Sequence, residues 1–172
     1  MKRFWNSAEV IDADAGYGIA VDGRRVKTPA RADLLLPAEP LARCIAAEWN
    51  DSGEEVAPRS MPLTGLANAA IDHIAPDKQS YAAGIAAYGE TDLVCYRAEG
   101  PDRLVQWQAE SWDALLGWAR RRFDVDFVCQ TGIMHVSQPQ DTVRKLAHAV
   151  AALDPFRLAG LSPLVTIGGS LI

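Results

Sequence analysis

The spacing of the apolar residues changes once along the chain, near Pro37, and this change limits the folds that the chain can adopt. Before this point the apolar residues lie in short runs typical of strands, and after it they recur every three to four residues, as in helices. Residues 18–21 and 25–28 flank Asp22-Gly23, a dipeptide that is a strong signal for a two-residue hairpin turn. Strands followed by helices indicate the α+β class.

Two further apolar stretches complete the β-rich part. Residues 3–11 indicate a weaker strand, and residues 34–36 can pair with either neighbour. We therefore predict a small N-terminal β-rich lobe with one helix at residues 1–58 and a larger, mainly α-helical lobe at residues 59–172. Since residues 167–172 are still mostly apolar, we expect either that another segment follows them in the full-length gene product or that this end is buried.

The helical spacing predicts a series of helices, several of which have a proline in the first turn. Their predicted ranges are 37–53, 62–74, 81–88, 101–123 and 139–151. Asp154-Pro155 and Ser162-Pro163 each predict a further helix start, since each is an N-cap residue followed by proline. The apolar runs at residues 93–96 and 125–129 predict strands between these helices.

Composition and charge disfavour several classes of function. A net charge of −5 and a pI near 5.1 argue against a general binder of nucleic acid or anionic membranes, which needs a basic surface. No apolar run approaches the ~20 residues that span a bilayer, so we expect no membrane insertion. The widely spaced Cys44, Cys95 and Cys129 form no CxxC pair, which indicates reduced thiols in a cytosol-like compartment.

The sequence contains no motif for a metal, a cofactor or a nucleotide. His73, His135 and His148 form neither HxH nor HExxH, and no GxxxxGK[ST] phosphate loop occurs. We therefore predict no catalytic, metal-binding or cofactor-binding residues. Two alternatives stay open: a small thiol-dependent or hydrolytic enzyme that uses Cys95 or Ser170, and a purely structural subunit of a larger complex.

Residues 87–97, AYGETDLVCYR, have the highest density of reactive groups in the chain. A strand in this segment would place Asp92 and Arg97 on opposite faces, which argues against a joint active site. Glu90 and Asp92 follow a predicted helix end, where carboxylates can accept hydrogen bonds from free backbone N–H groups. We therefore predict structural roles for the carboxylates and burial of Cys95.

The predicted helix at residues 101–123 carries two adjacent lines of apolar residues, which is more than one packing neighbour requires. The first line is Leu104, Trp107, Leu115 and Trp118, and the second is Trp112, Leu116, Ala119 and Phe123. Core packing accounts for most tryptophans, but tryptophan is also favoured at interface hot spots. We predict that Trp107, Trp112 and Trp118 include at least one partner contact.

Several phrases, in order along nearly the whole chain, resemble one protein family. They are RFW at 3–5, DGRRVKTPA at 22–30, EW at 48–49, MPLT at 61–64, YGETDLVCYRA at 88–98, WDALL at 112–116, GI at 132–133 and GSL at 169–171. Together they resemble the ATP synthase assembly chaperones (mitochondrial assembly factor 2-like) that act on the alpha subunit of the F-type catalytic head. Within the phrases, Trp49, Glu90, Asp92 and Arg97 form a predicted structural signature.

The resemblance implies a non-enzymatic chaperone that binds the free alpha subunit, prevents its aggregation and promotes assembly of the catalytic head without ATP. It also implies a small β-rich lobe joined to a larger helical lobe. Family members continue past the GSL phrase with acidic and tryptophan-containing helical motifs that these 172 residues do not include. We expect a monomer in the bacterial cytoplasm, or in the mitochondrial matrix for a trimmed eukaryotic member.

Overall fold

The computed structural model describes residues 2–172 and divides the chain into two compact units. The first ends at Pro76 and the second spans Asp77–Ile172. The predicted α+β class is confirmed, because the first unit contains a sheet and the second is mainly helical. Within the described residues, no helix is both long enough and apolar enough to cross a bilayer.

The predicted lobe boundary after residue 58 lies inside the first unit, because the helix that follows it is tied to earlier residues. This helix, α2 (Pro62–Ala69), continues as a π-helical turn, Ala70–Ile74. The Glu48 carboxylate accepts a hydrogen bond from Thr64 N (2.8 Å) at the start of α2. Local periodicity along the sequence does not reveal such a long-range attachment.

The first unit contains a sheet whose second strand pairs antiparallel with the other three. The strands are β1 (Ala8–Ala13), β2 (Gly16–Val21), β3 (Arg24–Arg25) and β4 (Leu35–Leu36). Asp22 and Gly23 link the paired residues Val21 and Arg24, and both linking residues have positive φ, 47° and 76°. Positive φ at both positions is the mark of the turn that suits a two-residue hairpin, so the predicted hairpin is confirmed.

The predicted strand at residues 3–11 begins only at Ala8, because the residues before it pack on the end of α1 (Glu39–Asp51). Trp5 Nε1 donates to the carbonyl of Trp49 (3.1 Å), and the two rings are 4.8 Å apart. Arg3 Nη1 donates to the carbonyl of Ser52 (2.8 Å). These donors satisfy carbonyl groups that the end of a helix leaves without partners.

The second unit is built mainly from helices around a shared core. The helices are α3 (Lys78–Ala86), α4 (Asp102–Phe123), α5 (Gln140–Ala151) and α6 (Pro155–Gly168). α3 packs against α5 and α6. A core cluster beside α4 consists of Val94, Cys95, Leu116, Ala119, Val125, Phe127 and Leu146. The predicted burial of Cys95 is therefore confirmed.

The predicted strand at residues 93–96 is wrong. Leu93–Cys95 forms a 3₁₀ turn, and β5 covers only Tyr96–Arg97, which pairs parallel with β6 (Gln130–Thr131). The Asp92 carboxylate accepts a hydrogen bond from Val94 N (3.1 Å) and so stabilises the turn. Asp92 and Arg97 therefore do not belong to one strand, and the prediction that they lie on its opposite faces is wrong.

The predicted strand at residues 125–129 is also wrong, because side chains take the places of strand partners. Gln138 Oε1 accepts from Val128 N (2.9 Å), and Gln138 Nε2 donates to the Val128 carbonyl (2.8 Å). The Thr142 hydroxyl binds both backbone groups of Asp126 in the same way. The backbone is thus satisfied without a sheet neighbour.

The helix start predicted at Asp154-Pro155 is confirmed, because Asp154 Oδ1 accepts a hydrogen bond from Arg157 N (2.9 Å). The start predicted at Ser162-Pro163 is wrong, because α6 continues through Pro163. A proline there cannot donate to the carbonyl of Ala159. The helix nevertheless continues, since it is already established when the chain reaches this position.

Candidate functional site

The second unit exposes more large apolar side chains than the first. Within residues 2–172, Phe4 is the exposed large apolar residue of the first unit. The second unit exposes Leu93, Leu104, Val105, Trp107, Leu115, Trp118, Val128, Ile133, Met134, Leu164 and Ile167. Because clustered apolar surface marks protein interaction sites, the candidate functional site lies in the second unit.

The long helix α4 carries the densest group of these residues. Its 22 residues span about 33 Å, yet its fully buried residues are only Leu116 and Ala119, both in its C-terminal half. Residues 102–107 are exposed at every position. The first turns of α4 therefore bury no side chain.

One of the two predicted lines of α4, which we call the inner line, attaches the helix to the core. It consists of Trp112, Leu116, Ala119 and Phe123. The Arg97 guanidinium lies 5.5 Å from the ring centroid of the half-buried Trp112 and donates to Asp113 (2.7 Å). Arg97 Nε also donates to the Val94 carbonyl (2.9 Å), so one side chain joins α4 to the turn before β5.

The other predicted line, which we call the outer line, stays exposed. Leu104, Trp107, Leu115 and Trp118 are 39%, 55%, 43% and 48% exposed. The Arg103 guanidinium lies 4.6 Å from the Trp107 ring centroid, and Trp118 packs edge-to-face with Phe123 at 5.5 Å. The structure thus places Trp107 and Trp118 on the exposed face and Trp112 against the core.

The outer line can bind another protein but offers no group for covalent chemistry. A partner that covers the tryptophan and leucine side chains removes their apolar surface from water, which favours binding. Tryptophan is also enriched at interface hot spots. A line of exposed apolar side chains on one helix suits a partner that presents a complementary apolar surface.

A second cluster of functional groups consists of Asp92 and residues 170–172, which follow α6. The Asp92 side chain is fully buried, and Oδ1 accepts a hydrogen bond from the Ser170 hydroxyl (2.6 Å). Oδ2 accepts from Leu171 N (2.7 Å) and Ile172 N (3.2 Å). The Ser170 hydroxyl therefore donates to a buried carboxylate, which anchors the segment after α6.

Cys95 does not have the properties of a catalytic thiol. It is fully buried among apolar side chains, and burial raises its pKa to about 12, with smaller contributions from nearby Cys129 and Asp92. A nucleophilic cysteine instead needs a lowered pKa and access to solvent. The geometry therefore argues against the thiol-dependent alternative.

The two remaining residues of the predicted structural signature are Trp49 and Glu90, and neither shares the buried polar surroundings of Asp92. Trp49 packs on Trp5, and its own Nε1 is buried without a hydrogen-bond partner in the described part of the chain. Glu90 is exposed at the end of a 3₁₀ turn, Ala87–Glu90. Gly89 in that turn lies so close to Leu146 that an added Cβ would be 3.2 Å from its side chain.

A short chain of polar groups beside β5 had no signal in the sequence, because its members come together only in the fold. His135 Nδ1 lies 3.3 Å from the Tyr96 hydroxyl, and His135 Nε2 lies 3.4 Å from the Ser137 hydroxyl. Both distances are at the long end of the hydrogen-bond range. His135 and Ser137 are exposed, so these groups do not form an enclosed site. Elsewhere within residues 2–172, no group of three or more His, Cys, Asp or Glu residues is placed to hold a metal ion.

Comparisons with known proteins support a role in protein assembly. A family model described as ATP12 chaperone protein matches residues 2–120. The chain is 42% identical to Atp12 from Paracoccus denitrificans, with a TM-score of 0.93 over 99% of this chain and 73% of that one. The D202K mutant of that protein gives the same values. The Atu1473 protein from Agrobacterium tumefaciens is 35% identical, with a TM-score of 0.93 over 99% of this chain and 64% of that one.

Proposed function

This chain belongs to the ATP12 chaperone family, and we propose that it binds the free alpha subunit of F-type ATP synthase, keeps it from aggregating and promotes assembly of the catalytic head. The role in ATP synthase assembly follows from the family. The choice of the alpha subunit is supported by the ordered phrases, from RFW at residues 3–5 to GSL at residues 169–171.

The observation that carries this proposal is the exposed outer line of α4. A subunit that waits for its neighbour exposes apolar interface surface, which is an aggregation hazard until that neighbour arrives. The outer line offers a matching apolar surface, with Trp107 and Trp118 as its largest side chains. We propose these two tryptophans as partner contacts and Trp112 as a support for the helix.

We further propose that the chaperone acts by binding alone, as a monomer and without enzymatic activity. The sequence has no phosphate loop for an ATP cycle, and Cys95 is too buried for nucleophilic chemistry. The bacterial relatives support a cytoplasmic location.

Dilution of chemically unfolded alpha subunit into buffer tests the proposal. We expect the chain to reduce light scattering and to form a complex with the alpha subunit on gel filtration. Replacement W107A or W118A should weaken the complex by about tenfold or more, since each removes a large apolar contact. W112A should instead lower the free energy of unfolding. F4A, at an exposed site in the first unit, should leave the complex unchanged and should lower stability only by the loss of the edge-to-face contact between Phe4 and Trp5 (5.1 Å).

The proposal fails if the wild-type chain neither reduces scattering nor forms a complex. A pull-down with the assembled catalytic head distinguishes a chaperone from a permanent subunit. A chaperone should be recovered with free alpha subunit and be absent from the assembled head.

A further inference from the structure

Two of the three cysteines lie side by side at one end of the β5–β6 pair. In this parallel pair Tyr96 lies opposite Gln130. Cys95 directly precedes Tyr96 in the sequence, and Cys129 precedes Gln130 in the same way. The two thiol groups lie close enough to interact directly. The pairing of β5 with β6 thus brings the two sulfur atoms together.

This placement suits a disulfide bond. Neighbouring strands lie about 4.8 Å apart, and a disulfide joins cysteines whose Cα atoms are about 4.4–6.8 Å apart. Cys95 and Cys129 are distant in the sequence and form no CxxC motif, so the fold alone reveals the pair. In a reducing compartment such a pair stays as two thiols, and a disulfide between them is a transient response to an oxidant.

We propose that Cys95 and Cys129 form a site of reversible oxidation, at which hydrogen peroxide converts the two thiols into a disulfide. The Cys129 thiolate attacks the peroxide, so that an S–O bond forms, the O–O bond breaks and hydroxide leaves. The Cys95 sulfur then attacks the sulfenic sulfur of Cys129. An S–S bond forms, the S–O bond breaks, and the departing hydroxide takes up the Cys95 proton. The two thiols lose two electrons, the peroxide gains them, and two molecules of water form.

The surroundings of the two thiols assign the order of these steps. Cys129 is exposed, whereas Cys95 is fully buried. Burial raises the pKa of Cys95 to about 12, so its thiolate is scarce at neutral pH and Cys129 must react first. Cys95 can still close the bond slowly, because Cys129 already lies against it and no reagent has to enter the core.

The disulfide would close a loop that contains all of α4, because Asp102–Phe123 lies between the two cysteines. A cross-link removes conformational freedom from the unfolded chain, and the resulting stabilisation grows with the length of the loop. Oxidation should therefore stabilise the unit that carries the outer line. This inference does not rest on the proposed function, since it concerns two thiols of the chain itself.

Peroxide treatment followed by mass spectrometry tests the inference. The reduced chain is exposed to hydrogen peroxide, free thiols are blocked with N-ethylmaleimide, and tryptic peptides are separated without reductant. We expect the peptide of residues 79–97 to be linked to that of residues 123–144, and dithiothreitol to restore both thiols. The Tm of the oxidised chain should rise by about 5 °C or more.

C129S and C44S form a matched pair of variants, because each removes one exposed thiol. C44S should form the disulfide and gain Tm like the wild type, whereas C129S should do neither. In C95A the sulfenic acid has no second thiol to react with, so dimedone should label Cys129 persistently. Circular dichroism should show that each reduced variant folds like the reduced wild type.

The inference is overturned if Cys95 stays a free thiol after peroxide treatment, whether Cys129 is then unmodified, oxidised to sulfinic acid, or linked to Cys44 or to a second chain. It is also overturned if the disulfide forms only in denaturant, because the fold then does not bring the two thiols together. An unchanged Tm in the oxidised chain would refute the stabilisation of the loop.

Discussion

Asp92 is a buried carboxylate that four donors satisfy: three backbone N–H groups and the Ser170 hydroxyl. Hydrogen bonds to an ionised acceptor are stronger than those between neutral groups, and they offset the cost of removing the charge from water. Through these bonds Asp92 joins the turn before β5 to residues 170–172, about 78 positions later in the chain. A single side chain thus fixes the segment that follows α6 to the turn before β5.

Replacement of Asp92 by alanine should lower the free energy of unfolding by about 2–4 kcal/mol, because it leaves several buried donors without partners. Denaturant titration measures this loss. S170A removes only one of the bonds and should cost about 1 kcal/mol. Equal losses in the two variants would contradict the central role that we assign to the carboxylate.

The buried thiol of Cys95 should resist alkylation. Cys44 and Cys129 are exposed and should react with iodoacetamide in the folded chain, whereas Cys95 should react only after unfolding in denaturant. Mass spectrometry of tryptic peptides distinguishes the three sites. Fast modification of Cys95 in the folded chain would revive the thiol-dependent alternative.

The same thiol should make stability depend on pH in the alkaline range. Its pKa is raised from about 9 to about 12 on folding, so between these values the unfolded chain has lost a proton that the folded chain keeps. The free energy of unfolding of the wild type should therefore fall relative to that of C95A as pH rises from 9 to 12. Below pH 9 the difference between the two proteins should stay constant.

At the scale of elements, the C-terminal half of α4 packs against the core, whereas its first turns are exposed. Its inner line is fixed by the core and by Arg97, while residues 102–107 have no buried side chain. Isolated helical segments shorter than about 12–15 residues are marginal in water, so the first turns of α4 depend on the continuous helix behind them. The element that we propose for partner contact is therefore also one of low local stability.

Hydrogen exchange should show this difference within one helix. Backbone amides near the start of α4 should exchange faster than those of residues 112–123, because few contacts oppose their local opening. Exchange measured by mass spectrometry on overlapping peptides tests the gradient. Addition of alpha subunit should protect the N-terminal half, and uniform exchange along α4 would contradict the description.

The helices of this chain could be predicted from the sequence because their signals are local. Periodicity, prolines in first turns and the cap at Asp154 lie within a few residues of the helices that they define. The predicted strand at 125–129 is wrong because the distant side chains of Gln138 and Thr142 satisfy the backbone there. The predicted strand at 93–96 is wrong because the Asp92 carboxylate accepts a hydrogen bond from Val94 N and stabilises a 3₁₀ turn. The two lines of α4 were visible in the sequence, but only tertiary packing determines which one is exposed.

At the scale of the whole molecule, exposed large apolar side chains are distributed unevenly between the two units. In the described residues, Phe4 is the exposed large apolar residue of the first unit, and the others lie between Leu93 and Ile167. We therefore expect the second unit to carry most of the partner contact.

A chaperone that works by binding alone should act stoichiometrically. Suppression of alpha-subunit aggregation should saturate near one chain per subunit, and ATP should leave the titration unchanged. Light scattering at increasing ratios of the two proteins measures the end point. Suppression at much lower ratios, or a requirement for ATP, would indicate a catalytic cycle instead.

The exposed start of α4 also affects how this protein can change during evolution. Substitutions at residues 102–107 alter side chains that bury nothing, so most should leave the free energy of unfolding nearly unchanged. Selection on this segment then comes mainly from the partner, and the segment can change as the partner's surface changes. Exchange of these six residues between related chaperones should therefore transfer preference for an alpha subunit while the fold stays the same.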